Sequence, residues 1–488
     1  MPRIRFAARA VFLTWTFFAL GVPPTPSVEA APGPAPDLES ERQEAVAVLI
    51  ASLDELVDWS TKNKLFAERD KTFEQILEFD PDNSRAHRGL GHSRLRDGTW
   101  VPKEGRRESK NYNPSALADL PAERRRLTQD FRDRMLGILE HYERELGPAQ
   151  REEIYEQVLT VRPDDEDIRR TLGEVLLDGS WVLGESATAK QRRADLRAAV
   201  QDSLASVGKP QELLPSGTDS DLGVAWKALL RTDNARVLST GEADEALRVL
   251  QAAEAAHGLF NVAFGVVAPQ PEDYTIYVLV HEKEELAFLS AHPAVDEEGK
   301  AFYLSLQGCG LPGLADGVFW SADAEARLDG ATRHTISLLL GTCFGLTTDH
   351  GWAYEGFGLY LTREIVGTRL TWYVQPGSDP GDYQKNLRAK LLSSNTNWMN
   401  EAFEILGSER RPDLATVLGR DLNEMKVEDL LFSYVLAAYL IEGRPDQVGP
   451  LLKRIGAGAD PGMAIRQVLG LELDQLTARV QRWLSERR

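Results

Sequence analysis

The stretch "RHTISLLLGTCFGLTTDHGWAYEGFGLYL", residues 333–361, decides the fold of the C-terminal half of this chain. Its apolar residues recur at helical spacing on both sides of a short polar segment, which predicts two apolar helices joined by a loop. We expect His334 to open the first helix, and Trp352 and Glu355 to lie on the second. The segments before and after this stretch decide which class of fold contains the two helices.

The residues before this stretch predict a small sheet. Segments 235–240, 274–280, 301–306 and 317–321 are short apolar runs of the kind that form strands, and a helical pattern through Ala256 follows the first of them. From Ala324 to the end of the chain the pattern is helical throughout. Strands followed by helices predict an α+β domain, which we place at residues 224–488.

The N-terminal half contains an internal repeat. "FEQILEFDPDNSRAHRGLG", starting at Phe73, matches "YEQVLTVRPDDEDIRRTLG", starting at Tyr155, and each copy is followed by Asp-Gly, Thr or Ser, and Trp-Val. Each copy predicts a helix, a turn at a proline and a second helix. A glycine is expected to end the second helix as a stop, and the tryptophan to pack over that end as a plug. The spacing from Pro81 to Leu-Gly resembles tetratricopeptide repeats, although the copies lie farther apart than such units do.

This resemblance implies an all-α helical repeat region at residues 39–208. Stacked helix pairs of that kind often present a concave surface to a partner, so the region either binds a peptide or protein or serves as a helical spacer. The turn-forming residues 209–223 predict a linker to the C-terminal domain.

The first thirty residues have the pattern of an export signal. Three arginines precede a short apolar run, and small residues stand near Ala30, which predicts a Sec-type signal peptide at residues 1–30. The apolar run is too short to span a membrane comfortably, so we expect a secreted or periplasmic protein without a transmembrane segment. The formal net charge of −19 disfavours nucleic acid as a partner.

The chain contains two cysteines, Cys309 and Cys343. In an oxidising compartment one disulfide between them is plausible chemistry, and two separate thiols are the other arrangement. The sequence leaves both open.

The order of strands and helices in residues 230–488, together with the Trp-Ala-Tyr-Glu-Gly segment from Trp352, resembles the gluzincin (peptidase MA-like) domains of exported bacterial proteins. In that family a small sheet precedes a helix that bears His-Glu-x-x-His, and a later helix bears a third zinc ligand. The resemblance places His334 and Glu355 at the first and third ligand positions. It places Thr335 at the catalytic glutamate and Leu338 at the second histidine.

These two replacements imply a loss of catalysis. A positioned general base is worth about 10²- to 10⁴-fold in rate, and a threonine hydroxyl is not a useful base near neutral pH. We therefore expect no cofactor and an exported, non-catalytic pseudo-metallopeptidase. It would bind a peptide or protein partner through its helical repeats or through the former substrate cleft, lined by Trp320, His334, Trp352 and Glu355.

Two alternatives stay open. One is a zinc-dependent peptidase with a shifted metal site formed by His334, His350 and Glu355. The other is a peptidase-like shell that serves only as a rigid structural module.

Two smaller expectations concern polar residues near the site. A buried carboxylate needs a partner, so without zinc we expect Glu355 to hydrogen-bond His334 and to raise the pKa of that histidine. The segment "HEKEE", residues 281–285, superficially resembles a metal motif, but its acids suit the first turn of a helix. We predict a strand-to-helix junction there.

Overall fold

The structure, a computed structural model, describes residues 37–487 except 104–108, 208–209, 270–273, 307, 312, 368–380 and 394. The predicted signal peptide lies outside the described residues. The chain divides into two compact units, one up to Leu146 with Thr160–Arg162, the other comprising Gly147–Leu159 and the residues from Pro163 onward. The fold is α+β and mostly helical. Within the described ranges, no helix combines the length and apolar character needed to cross a membrane.

The first unit is built around a long N-terminal helix. That helix begins after Asp37, whose side chain accepts a hydrogen bond from the amide of Glu39, and it buries a leucine stripe that includes Leu49, Leu53 and Leu56. The elements of this unit are α1 (Leu38–Lys62), α2 (Phe66–Phe79), α3 (Ser84–Gly89), β1 (His92–Arg94), β2 (Trp100–Pro102), α4 (Pro114–Leu127) and α5 (Gln129–His141).

The sequence repeat is also a structural repeat, but its form differs from the prediction. The second copy consists of α6 (Pro148–Val161), α7 (Glu166–Thr171), β3 (Glu174–Leu177) and β4 (Ser180–Leu183). Each copy is a long helix, a helix of six residues and an antiparallel hairpin. The predicted glycine stop is confirmed, since Gly91 and Gly173 follow the caps of α3 and α7 with φ angles of 75° and 78°. The predicted tryptophan plug is wrong, because Trp100 and Trp181 lie on the second strand of a hairpin.

The Asp-Gly pair of each copy makes the hairpin turn. Asp178 and Gly179 have φ angles of 51° and 85°, and they form the two-residue loop between β3 and β4. Two successive positive φ values match the twist of the flanking strands, which is why Asp-Gly favours such turns. In the first copy a three-residue loop ends at Gly98, with a φ of 95°.

The second unit contains a six-stranded sheet in the order β5-β6-β7-β8-β10-β9. The two central pairings, β7 with β8 and β8 with β10, are parallel, and the other three are antiparallel. The strands are β5 (Gln211–Glu212), β6 (Ala228–Arg231), β7 (Arg236–Ser239), β8 (Thr275–Leu279), β9 (Gly308–Gly310) and β10 (Gly317–Trp320). Because β5 pairs with β6, the segment predicted as a linker at 209–223 contributes an edge strand to this sheet.

The helices of the second unit flank the sheet and then continue to the end of the chain. They are α8 (Gly184–Ser206), α9 (Gly217–Ser220), α10 (Ala243–Phe264), α11 (Glu282–Ala291), α12 (Glu297–Tyr303), α13 (Ala324–Phe344), α14 (Gly351–Val366), α15 (Gly381–Leu391), α16 (Trp398–Leu406), α17 (Leu414–Leu418), α18 (Val427–Gly443), α19 (Pro445–Gly456), α20 (Pro461–Leu469) and α21 (Leu473–Arg487). Single 3₁₀ turns occupy Thr348–His350 and Leu422–Glu424.

Three of the four predicted strands are confirmed as β7, β8 and β10, and the helical pattern is confirmed for the described residues from Ala324 onward. The strand predicted at 301–306 is wrong. Asp296 caps a helix there by accepting from the amide of Gly299, and α12 runs through the aromatic residues that suggested a strand. Phe302 is 48% exposed, so no sheet partner buries it.

Both faces of the central strands are covered, which explains their continuous apolar sequence. Alternate residues point to opposite faces. Val237, Ile276 and Val278 join a core with α10 and α13, whereas Leu238 and Tyr277 join a second core with α11.

The helices after the sheet form a separate large core with α8 and the end of α10, and α14 and α18 cross closely within it. A Cβ atom at Gly356 of α14 would lie 2.4 Å from the carbonyl oxygen of Ser433 in α18. Only glycine therefore permits this approach, which also accounts for the Glu-Gly pair in the sequence. The crossing fixes the position of Glu355, the residue before Gly356, in the interior.

Candidate functional site

His334 lies in the middle of α13 and does not open it, contrary to the prediction. The helix begins ten residues earlier at Ala324, where Asp323 accepts a hydrogen bond from the amide of Glu325 at 3.0 Å. An aspartate that caps the N-terminus of a run of good helix formers is an ordinary start signal. The helix therefore carries His334 beneath the edge of the sheet.

The ring of His334 fills a space left by two glycines, Gly310 of the edge strand β9 and Gly317 of its neighbour β10. A Cβ atom at Gly310 would lie 2.9 Å from Cε1 of the ring, and one at Gly317 would lie 2.6 Å from Cδ2. The Nε2 atom is 3.0 Å from the carbonyl oxygen of Ala315, so this nitrogen carries the proton and donates it. Burial lowers the pKa of His334, and the bond to Ala315 opposes this only in part, which favours the neutral ring.

Glu355 pairs with Arg333 and not with the neighbouring histidine. The guanidinium group of Arg333 forms an ion pair with Oε2 of Glu355, and each side chain is 5% exposed. The expected hydrogen bond from His334 to Glu355 is thus wrong, as is the expected rise in the pKa of His334. A guanidinium group satisfies a buried carboxylate better than an imidazole does, since it is always charged and presents several donors.

Thr335 and Leu338 are packing residues in the structure. The Thr335 hydroxyl is 3.0 Å from the carbonyl oxygen of Ala331 and 2.9 Å from the hydroxyl of Tyr274, and the residue is fully buried. Leu338 packs against the core formed by α10 and the sheet. Neither residue offers a base or a ligand to a substrate.

The residues of the shifted zinc site do not fit a metal ion together. His350 lies in the 3₁₀ turn before α14, where its Nδ1 atom accepts from the amide of Thr347 at 3.1 Å. Glu355 is neutralised by Arg333, and the proton on Nε2 of His334 faces a carbonyl oxygen. Nowhere in the described part of the chain do three His, Cys, Asp or Glu side chains converge as metal ligands do.

The predicted binding cleft does not assemble either. Trp352 is fully buried in the helical core, and Glu355 is 4% exposed. Trp320 ends β10 and packs with the core on the α11 side of the sheet. Trp352 and Trp320 thus pack in different cores, and neither Trp352 nor Glu355 offers a surface to a partner.

The two cysteines are free thiols. Cys309 lies on β9 and packs against the core on the α11 side of the sheet, whereas Cys343 packs against the helical core. The disulfide considered from the sequence is not formed.

The segment "HEKEE" is confirmed as a strand-to-helix junction. His281 caps α11, and the Glu284 carboxylate accepts from the amides of His281 and Val280 at 3.0 and 3.2 Å and from the Thr240 hydroxyl at 2.7 Å. Burial opposes ionisation of Glu284, but these donors outweigh it and lower its pKa. The carboxylate is therefore used in holding the junction together.

A polar pocket of about 710 Å³ lies elsewhere in the second unit, where α14, α16, α18 and α21 meet. Arg363 donates to the carbonyl oxygen of Thr396 at 3.3 Å, and Arg487 donates to Glu442 at 2.8 Å. Tyr434 contributes a phenol that is 3% exposed. In the described residues, no hydrogen bond to its hydroxyl is formed.

Sequence reasoning missed Arg333 and Tyr434. Arg333 had a readable signal, since a charged residue inside an apolar helix needs a buried partner of opposite charge. Tyr434 had none, because its apolar neighbours on α18 give no indication that its hydroxyl opens into a pocket.

Comparisons with protein-family models, with curated proteins and with solved structures found no match to this chain. The class that fold and site define is an α+β, mostly helical protein with a buried Arg333–Glu355 ion pair between two central helices.

Proposed function

We propose that this chain is a non-catalytic, gluzincin-like protein that is exported and binds a peptide or protein partner. The observation that carries the proposal is the buried ion pair between Arg333 and Glu355. A carboxylate that ligates zinc has to face the ion, whereas this one faces a guanidinium group. Breaking one side of a buried pair costs about 3–5 kcal/mol, so zinc would have to overcome that cost before it could bind here.

Support for a recognition role comes from the polar pocket beside α18. Its volume of about 710 Å³ lies within the range of pockets that hold small molecules or a few residues of a peptide. The former cleft is closed by packing, so we assign recognition in the second unit to this pocket. Partner binding by the helical repeats of the N-terminal half stays a prediction.

The first experiment measures zinc. Purified full-length protein is dialysed against zinc and then against metal-free buffer, and bound metal is determined by mass spectrometry. We expect far less than one zinc per chain, unchanged in Glu355→Gln. Zinc near one per chain, lost in His334→Ala together with chelator-sensitive peptide hydrolysis, would establish the shifted-site enzyme instead.

The second experiment measures recognition. A random peptide library is panned against the full chain, and enriched peptides are tested by calorimetry. We expect a common sequence or terminus among the enriched peptides. Folded protein that enriches no peptide would contradict the peptide-binding form of the proposal.

A further inference from the structure

Tyr434 places an unsatisfied donor at the wall of the polar pocket. Its side chain is 3% exposed, its ring packs edge-on against Trp398 at 5.0 Å, and in the described residues its hydroxyl meets no hydrogen-bonding group. A phenol hydroxyl that faces a pocket and has no partner in the protein can donate its proton to water or to a ligand. The hydroxyl therefore indicates a ligand that accepts a hydrogen bond.

Two arginines flank this hydroxyl, and each is held in place by an aromatic ring. The Arg363 guanidinium lies 5.3 Å from the ring centroid of Trp398, and that of Arg487 lies 5.1 Å from the ring centroid of Trp483. Stacking restrains a guanidinium group without using all of its donors. The pocket thus presents planar cationic groups in fixed positions.

The charges around the pocket leave one positive charge in excess. Glu442 is fully buried and pairs with both Arg487 and Arg193, while Arg363 and Glu364 line the pocket. Three arginines against two glutamates give 3 − 2 = +1. A single net charge suits a carboxylate, whereas a phosphate dianion would need a second positive charge.

We propose that this pocket binds a carboxylate group, held by the guanidinium of Arg363 and the hydroxyl of Tyr434. Guanidinium and carboxylate groups match as planar partners, and the tyrosine hydroxyl supplies a donor from the floor of the site. The carboxylate is either the C-terminus of a peptide or a free organic acid. If the carboxylate is the C-terminus of a peptide, the inference rests on the proposed function and specifies which part of the peptide is bound.

The test uses the full chain and four probes: N-acetyl-alanyl-alanine, its C-terminal amide, acetate and succinate. Binding is measured by calorimetry and by ligand-observed NMR. We expect the free-acid peptide to bind at least 10-fold more tightly than its amide. If N-acetyl-alanyl-alanine also binds more tightly than acetate and succinate, the ligand is the C-terminus of a peptide. If acetate or succinate binds more tightly than the peptide, the ligand is a free organic acid. Equal binding of the peptide acid and its amide, or no binding by any carboxylate probe, would overturn the proposal.

Tyr434→Phe removes the hydroxyl and keeps the ring. We expect about 10- to 150-fold weaker binding, the range for a lost hydrogen bond to a charged group. Tyr383→Phe, in a different pocket beside α15, is the matched control and should bind as the natural chain does. Unchanged affinity in Tyr434→Phe would contradict the assignment.

If Tyr434→Phe does not fold, Arg363→Lys and Arg363→Gln provide the measurement. The lysine variant keeps the charge and loses the planar fork, so binding should weaken in both variants and more strongly in the glutamine variant. Equal binding in both variants and the natural chain would overturn the proposal. None of these variants should alter the zinc content of the protein. Carboxylate binding therefore tests the pocket and zinc content tests the proposed function, and one can fail without the other.

Discussion

Arg333 and Glu355 form a buried ion pair that joins the two central helices α13 and α14. The pair accounts for one buried charged residue on each of the two helices. Its position next to His334 also explains why that histidine turns to a backbone carbonyl of the sheet. One ion pair therefore determines both the packing of the helices and the chemistry of the residues around it.

Removing one partner of this pair should destabilise the protein strongly. We expect Arg333→Met to lower the free energy of unfolding by about 3–5 kcal/mol, because it leaves the Glu355 carboxylate buried without this guanidinium group, and Glu355→Leu to lower it as well. The double variant Arg333→Met with Glu355→Leu should lose less than either single variant. Urea unfolding of all four proteins measures the coupling.

The control for that cycle is the exposed pair of Arg248 and Glu325, whose side chains are 50% and 42% exposed. Arg248→Met should change stability by no more than about 1 kcal/mol, since exposed ion pairs contribute little. Equal effects at the buried and exposed pairs would contradict a structural role for Arg333.

Thr335→Val tests the assignment of this residue to packing. The change keeps the shape of the side chain but leaves the Tyr274 hydroxyl without its partner, at a cost of about 1–3 kcal/mol. Thr342→Val is the matched control on the same helix, since its hydroxyl makes the same type of backbone bond at an exposed position. Thermal unfolding should separate the two variants. Similar melting temperatures would show that the Tyr274 contact contributes nothing.

Glu285 should make stability depend on pH. Burial, with a smaller contribution from the charge of Glu282, raises the pKa of Glu285 to about 7. Below the ordinary glutamate pKa of about 4.3, Glu285 is protonated in both the folded and the unfolded chain, so its contribution to the free energy of unfolding is fully present. It is lost as the pH rises through about 7, because the folded state then has to ionise a buried carboxyl.

Glu285→Gln removes this loss. We expect the variant to match the natural chain near pH 4.5 and to be more stable at pH 8, by less than about 4 kcal/mol. Urea unfolding at both pH values measures the difference, and Glu298→Gln, at an exposed position, serves as the control. An advantage of Glu285→Gln that did not change with pH would contradict the assigned pKa.

Two glycines of the first unit should respond in opposite directions. Gly98 has a φ of 95° in its hairpin turn, so Gly98→Ala should lose about 1–2 kcal/mol of stability. Gly137 lies in α5, where a Cβ atom would meet nothing within 4 Å, and Gly137→Ala should gain about 0.5–1 kcal/mol. Thermal unfolding of the full chain measures both. A gain for both variants would exclude the hairpin turn.

The site was only partly predictable. The apolar stretch with His334 and Glu355 was recognised as the centre of the domain, and both residues lie at its core. The sequence does not reveal the partner of Glu355, because His334 and Arg333 are adjacent and either could face it. Adjacent residues on a helix point about 100° apart, so which of the two faces Glu355 depends on how α14 crosses α13.

The sequence by itself determined the local elements: the strands at 235–240 and 274–280, the helices after Ala324, and the helices and proline turns of the repeat. Hydrophobic period and turn chemistry act within a few residues, so they can be read along the chain. Only the tertiary structure decided which polar groups meet. Glu355 pairs with Arg333, and the Tyr434 hydroxyl opens beside Arg363, because residues far apart in sequence are brought together by helix packing.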